Sequence, residues 1–108
     1  VRETLGWSKD FLKVTFQSRF GPDEWLQPYT DETVMELGRQ KKKVAVLAPA
    51  FSVDCIETLE EIAITGHEQF IEAGGAHEDY AYIPCLNDSE PGMKMLESVV
   101  RNELQGWI

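Results

Sequence analysis

Residues 44–51, VAVLAPAF, are apolar without a break. A strand with one wet face alternates apolar and polar side chains. An unbroken run reads instead as a strand covered on both faces, as parallel sheets require. The next stretch, FSVDCIETLEEI at 51–62, crowds Asp54, Cys55, Glu57, Glu60 and Glu61 into the hand-over from that strand to a helix. Further out, LKVTFQS (12–18) alternates and is rich in β-branched and aromatic residues. YAYIPCL (80–86) is a third apolar run, with Pro84 near its end, where a missing ladder donor is tolerated. Strands are therefore predicted at 12–18, 43–49 and 80–85.

Helical patterns separate these runs. TDETVMELGRQKKK (30–43) opens on Thr30 or Asp31 as N-cap, with Glu32 in the first turn, and ends in lysines that complement the helix dipole. DCIETLEEIAITGHEQFIEAGG (54–75) places Ile56, Leu59, Ala63 and Phe70 at roughly helical spacing and closes on Gly74-Gly75. EPGMKMLESVVRNEL (90–104) supplies a last helix with Met93, Leu96, Val99 and Val100 facing inward, and VRETLGW (1–7) reads as the tail of one more. Crossovers this long predict parallel pairing and right-handed βαβ units, hence an α/β domain of three αβα layers around a parallel sheet. Residues 1–108 are read as one such domain. Ligands of these folds bind beyond the carboxyl ends of the strands. That puts QSRFGPDEW (17–25), FSVDCIE (51–57) and CLNDSE (85–90) on one rim.

The bulk properties exclude several classes. A hydrophobic content of 43% with 27% charged residues is that of a globular chain. A net charge of −9 argues against a nucleic-acid surface, and the one basic cluster, RQKKK at 39–43, ends a helix. No apolar run approaches the length of a membrane span. The chain begins at Val1 without a methionine, so a fragment or processed product is expected. Cys55 and Cys85 make neither a disulfide framework nor a C-x-x-C motif, which fits a reducing, cytoplasmic setting.

Three stretches carry chemistry. Asp54 and Glu57 stand three apart at a helix start, a pattern close to a capping box. Glu57 and Glu61 are four apart on one face, where like charges repel, and such a pair suits a hard or borderline cation or a proton acceptor. Trp25 lies in a proline-bounded polar loop, at a core edge or against a flat apolar ligand. Asn87, Asp88 and Ser89 read as turn and N-cap formers. His67 and His77 stand alone, with no second ligand at metal spacing, and Gly74-Gly75 lacks a phosphate-loop context.

Taken in order, FQSRFGPDEWLQPYTDETV (16–34), FSVDCIETLEEI (51–62) and YIPCLNDSE (82–90) resemble three consecutive signatures of the ferrochelatases. That family inserts ferrous iron into protoporphyrin IX in haem synthesis. The similarity runs from about Val14 to the last helix. It implies a lyase whose substrates are protoporphyrin IX and ferrous iron, with no tightly held cofactor and no nucleic-acid partner. The chain would be the C-terminal half, one of two similar Rossmann-type domains. A catalytic histidine and much of the porphyrin pocket would come from the missing N-terminal half. By the same resemblance Glu57 is catalytic, binding the metal and helping remove pyrrole protons, and Glu61 continues the acidic row as a second metal or proton carrier. Trp25 and Ser18 fall in the porphyrin pocket. Two departures stand out: Cys55 occupies a position where histidine is common, and AITG (63–66) ends the acidic row early. The resemblance implies that the isolated chain is inactive and leaves peripheral membrane association open. The alternatives are a non-catalytic α/β binding module, or a chelatase for another tetrapyrrole or metal.

Overall fold

A computed structural model describes residues 1–108. In chain order the elements are α1 (Arg2–Leu5), α2 (Thr30–Arg39), β1 (Val44–Leu47), a π-helix (Glu57–Gly66), α3 (His67–Glu72), a 3-10 turn (His77–Asp79), β2 (Tyr80–Ile83) and α4 (Glu90–Glu103). β1 and β2 pair in parallel, with Val44 opposite Tyr80 and Leu47 opposite Ile83. A parallel pair needs a long crossover, and here the π-helix and α3 supply it.

The sheet has two strands, not three. Residues 12–18 bond locally instead: the Phe16 N–H donates to the Pro28 carbonyl (3.0 Å) and the Thr30 N–H to the Phe16 carbonyl (2.9 Å). That leaves a single parallel bridge, Phe16 with Tyr29, in place of a strand against β1. The α/β reading holds, as a mixed domain around a small parallel sheet.

Burial corrects the predicted core in two places. In β1, Val44 and Val46 are half-buried while Ala45 and Leu47 are exposed, so an apolar run expected to be covered on both faces is covered on one. In α4 the predicted inward face is outward: Met93, Leu96, Val99 and Val100 are all exposed. That helix makes no more than marginal contact with any other element. It begins at an N-cap of the expected kind, Ser89, whose Oγ accepts from the Gly92 N–H at 3.3 Å. α2 starts one residue before the expected caps. Its N-cap is Tyr29, and neither Thr30 nor Asp31 caps it.

The core is small, with Val34, Phe70 and Tyr80 at its centre and Val44 and Val46 packed against it. Gly38 lets α2 come close. A Cβ there would sit 2.6 Å from the Phe70 carbonyl oxygen, a backbone atom that cannot yield. This packing fixes the orientation of the crossover helix and so of its acids.

Candidate functional site

The crossover helix opens as a π-helix, whose i→i+5 bonding widens each turn to between four and five residues. The predicted inward row of Ile56, Leu59, Ala63 and Phe70 assumed the narrower α turn. In the structure Ile56 is 77% exposed and Leu59 is also exposed, while Thr58, Ile62, Gly66 and Phe70 are buried. That row repeats every four residues. On a regular α-helix such a row drifts about 40° per step to one side, and on the wider turn it falls short of a full turn and drifts to the other. Gly66 belongs in it because a Cβ would meet the Tyr80 hydroxyl at 2.7 Å. That hydroxyl donates to the Ile62 carbonyl at 2.7 Å, and burial pushes its pKa up to about 12. Glu60 takes the Thr65 hydroxyl at 2.8 Å, a five-residue spacing that only the wide turn brings together.

On the accessible side, Gln17 and Ser18 lie along the turn between Glu57 and Glu61. The Gln17 side-chain amide donates to the Glu57 carbonyl (3.0 Å), and Ser18 donates its N–H (2.8 Å) and hydroxyl (2.6 Å) to the two carboxylate oxygens of Glu61. Ser18 adopts φ +60°, so Glu61 fastens a strained turn onto the helix. The Glu57 carboxylate is exposed. The Cys55 thiol beside it, followed by its own backbone N–H, holds its pKa below the usual value. Trp25 is tied within its own loop, its indole N–H donating to the Phe20 carbonyl at 2.8 Å, and no hydrogen bond joins it to the acidic row. Beside Glu61 lies a cavity of about 460 Å³ lined by Ser18, Tyr29, Gln69 and Tyr80 among others. A larger, shallower hollow of about 600 Å³ lies elsewhere, between α2 and residues 2–14; Arg2, Lys9, Lys13 and Glu36 are among its lining residues, and it holds none of the predicted site acids.

Asp54 does not form the capping box. Its N–H goes to the Asn87 side-chain oxygen (2.8 Å) and is not available to Glu57. Its Oδ1 accepts from the Tyr82 hydroxyl (2.5 Å), the Thr58 hydroxyl (2.9 Å) and the Cys85 N–H (3.4 Å), while Oδ2 accepts from the Asn87 amide (2.8 Å). The Tyr82 and Asn87 bonds chiefly hold its carboxyl far below the usual range. Tyr82 is driven above its usual range by desolvation and by that same bond. Desolvation also raises the Cys85 thiol, so it stays protonated at neutral pH and is no activated nucleophile.

His67 stacks on Tyr80 with ring centroids 5.0 Å apart, and one of its ring nitrogens sits 3.0 Å from the His77 carbonyl. Neither histidine joins the acidic row. No three His, Cys, Asp or Glu side chains of the chain converge on one metal position. The sequence marks Asn87 only as a turn former and does not single out Thr58. The four-residue burial row was the available signal for Thr58, whereas nothing local marks the partner of Asn87.

Fold and geometry define a mixed α/β domain that presents carboxylates from a wide helix at the carboxyl end of a parallel strand. The ferrochelatase family model matches residues 1–104. The ferrochelatase of Allorhizobium ampelinum is 61% identical over 109 residues, an alignment that covers 100% of this chain and 31% of that protein. The ferrochelatases of Brucella ovis and Brucella abortus are each 58% identical, again over 100% of this chain and 30% of theirs. The chain belongs to the ferrochelatase family. It spans about 30% of the length of the curated relatives it matches. No solved structure matches it.

Proposed function

We propose that this chain is the C-terminal domain of a cytoplasmic ferrochelatase that inserts ferrous iron into protoporphyrin IX to form protohaem. The rest of the enzyme supplies the opposite wall of the site and completes the three-layer architecture. Two pyrrole protons leave the macrocycle as one divalent ion enters, so the reaction needs proton acceptors and weak ligands that release the metal again. Iron enters as substrate. Glu57 is the group assigned to both tasks: it is exposed, ionised more readily than an ordinary glutamate, and engaged by no distant side chain. Glu61 is assigned the neighbouring place in the row, and Ser18 and Trp25 the wall of the porphyrin pocket. The observation that carries the reading is the match to ferrochelatases along the whole of this chain combined with an accessible Glu57 on a wide helix beyond β1.

The test is Glu57→Gln in a full-length enzyme carrying this segment. Glu57 closes no capping box with Asp54, so the thermal midpoint should move by no more than a few degrees. Metal insertion, followed by loss of porphyrin fluorescence, should fall about 10²-fold or more. Glu60→Gln is the control: Glu60 is bound to Thr65 and turned away from the Glu57 row. Its insertion rate should stay close to the parent's. Equal, mild losses from both substitutions would remove Glu57 from the chemistry.

A further inference from the structure

Asn87, in the turn after β2, makes three hydrogen bonds to the turn before the acidic helix, beside the longer one from the Cys85 N–H to Asp54 (3.4 Å). Its amide donates to Asp54 Oδ2 (2.8 Å), its side-chain oxygen accepts from the Asp54 N–H (2.8 Å), and its own N–H donates to the Ser52 carbonyl (2.9 Å). Asn87 sits at φ +51°, a region asparagine tolerates better than most residues. The start of α4 closes over it: a Cβ on the buried Gly92 would lie 2.9 Å from the Asn87 carbonyl oxygen. Asp54 passes the constraint on, because its Oδ1 accepts the Thr58 hydroxyl (2.9 Å), and Thr58 is fully buried and adjacent to Glu57. The Thr58 hydroxyl also accepts from the Cys55 N–H at 2.9 Å, so residues 54, 55 and 58 form one bonded unit.

We propose that Asn87 is a positioning residue for Glu57, setting the start of the acidic helix through the Asn87–Asp54–Thr58 chain of hydrogen bonds. It touches no reacting atom. A carboxylate that must meet a metal at one face of a macrocycle is sensitive to placement, and about 1 Å of displacement costs on the order of 10²-fold in rate. The proposal rests on the iron-insertion reading.

The experiment uses the full-length enzyme carrying this segment, with insertion kinetics measured at varied porphyrin and iron. Asn87→Gly keeps the left-handed backbone at no steric cost and deletes only the side-chain bonds. It should lower kcat about tenfold or more and leave the porphyrin KM within about twofold, the split expected of misplacement rather than lost binding. Unchanged kcat in this variant, or kcat and KM moving together, would overturn the proposal. A second arm guards against simple misfolding. Asp54→Asn combined with Asn87→Asp exchanges amide and carboxylate while conserving every bond, because only Oδ2 of Asp54 would have to become a donor. The double variant should recover most of the kcat lost by each single one, and failure to recover it also counts against Asn87. If the parent enzyme itself inserts no iron, the functional reading fails instead, and the two failures are told apart.

Discussion

A carboxylate that accepts four hydrogen bonds resists protonation. Asp54 takes bonds from Tyr82, Thr58, Asn87 and the Cys85 N–H, and its folded pKa lies far below that of a free aspartate. The stability this contributes is therefore complete above the unfolded value of about 3.9 and is lost as pH falls below it toward the folded value. Acid unfolding followed by circular dichroism should show this as a falling limb below about pH 4. Asp54→Asn should flatten that limb, and an unaltered limb would mean that other carboxylates govern it. Glu57 and Glu61 stand out because they lie four apart in one stretch, whereas Ser18 is singled out only by the family resemblance. Asp54 was misread as a helix cap because three of its four donors lie 28, 31 and 33 positions away. Local spacing carries no record of partners that the fold brings in from another strand.

Among the elements, the crossover helix departs most from expectation. Its existence and extent were legible from the apolar spacing and the closing glycines. Its phase was not, because an α turn was assumed where the bonding is i→i+5. The buried row is Thr58, Ile62, Gly66 and Phe70, and the five-residue bond from Thr65 to Glu60 is the trace of the wider turn. Two glycines test how tightly this helix and its neighbour are packed. Gly66→Ala drives a methyl against the end of a side chain, the Tyr80 hydroxyl at 2.7 Å, which must give up its bond to Ile62. A loss of about 1–2 kcal/mol is expected, after the helix-propensity gain of alanine is allowed for. Gly38→Ala presses instead on the Phe70 backbone oxygen at 2.6 Å. It should cost more, about 3 kcal/mol, since two helices must move apart. Urea denaturation of the two variants checks the order, and the reverse order would show that α2 slides more freely than this packing implies.

For the whole molecule, the dimensions explain the fate of the outer elements. The Cα radius of gyration is 16.5 Å, against about 13 Å for a compact chain of this length. Only nine of 108 residues are buried, and the exposed faces of β1 and α4 are apolar. The third strand and the inward face of α4 are legible as patterns in the sequence, but here Phe16 bridges only to Tyr29 and α4 packs on no other element to more than a marginal extent. On the proposed function, the purified chain should show no iron insertion above the uncatalysed rate, because it spans only about 30% of its relatives and the wall facing Glu57 is assigned to the rest of the enzyme. Robust turnover, read as loss of porphyrin fluorescence, would contradict that. The parallel register of Val44 with Tyr80 carries a further consequence, for the order of events in folding. The first rung of the sheet closes a loop containing the entire acidic helix, so its entropy is lost before any strand bond compensates. During synthesis the acids at 57–61 leave the ribosome well before β2 does. Gln17 and Ser18 are already out to meet them, but the start of the helix gains its remaining bonds only when residues 80–87 emerge to pair with β1 and reach Asp54, so the setting of the acidic helix is completed late.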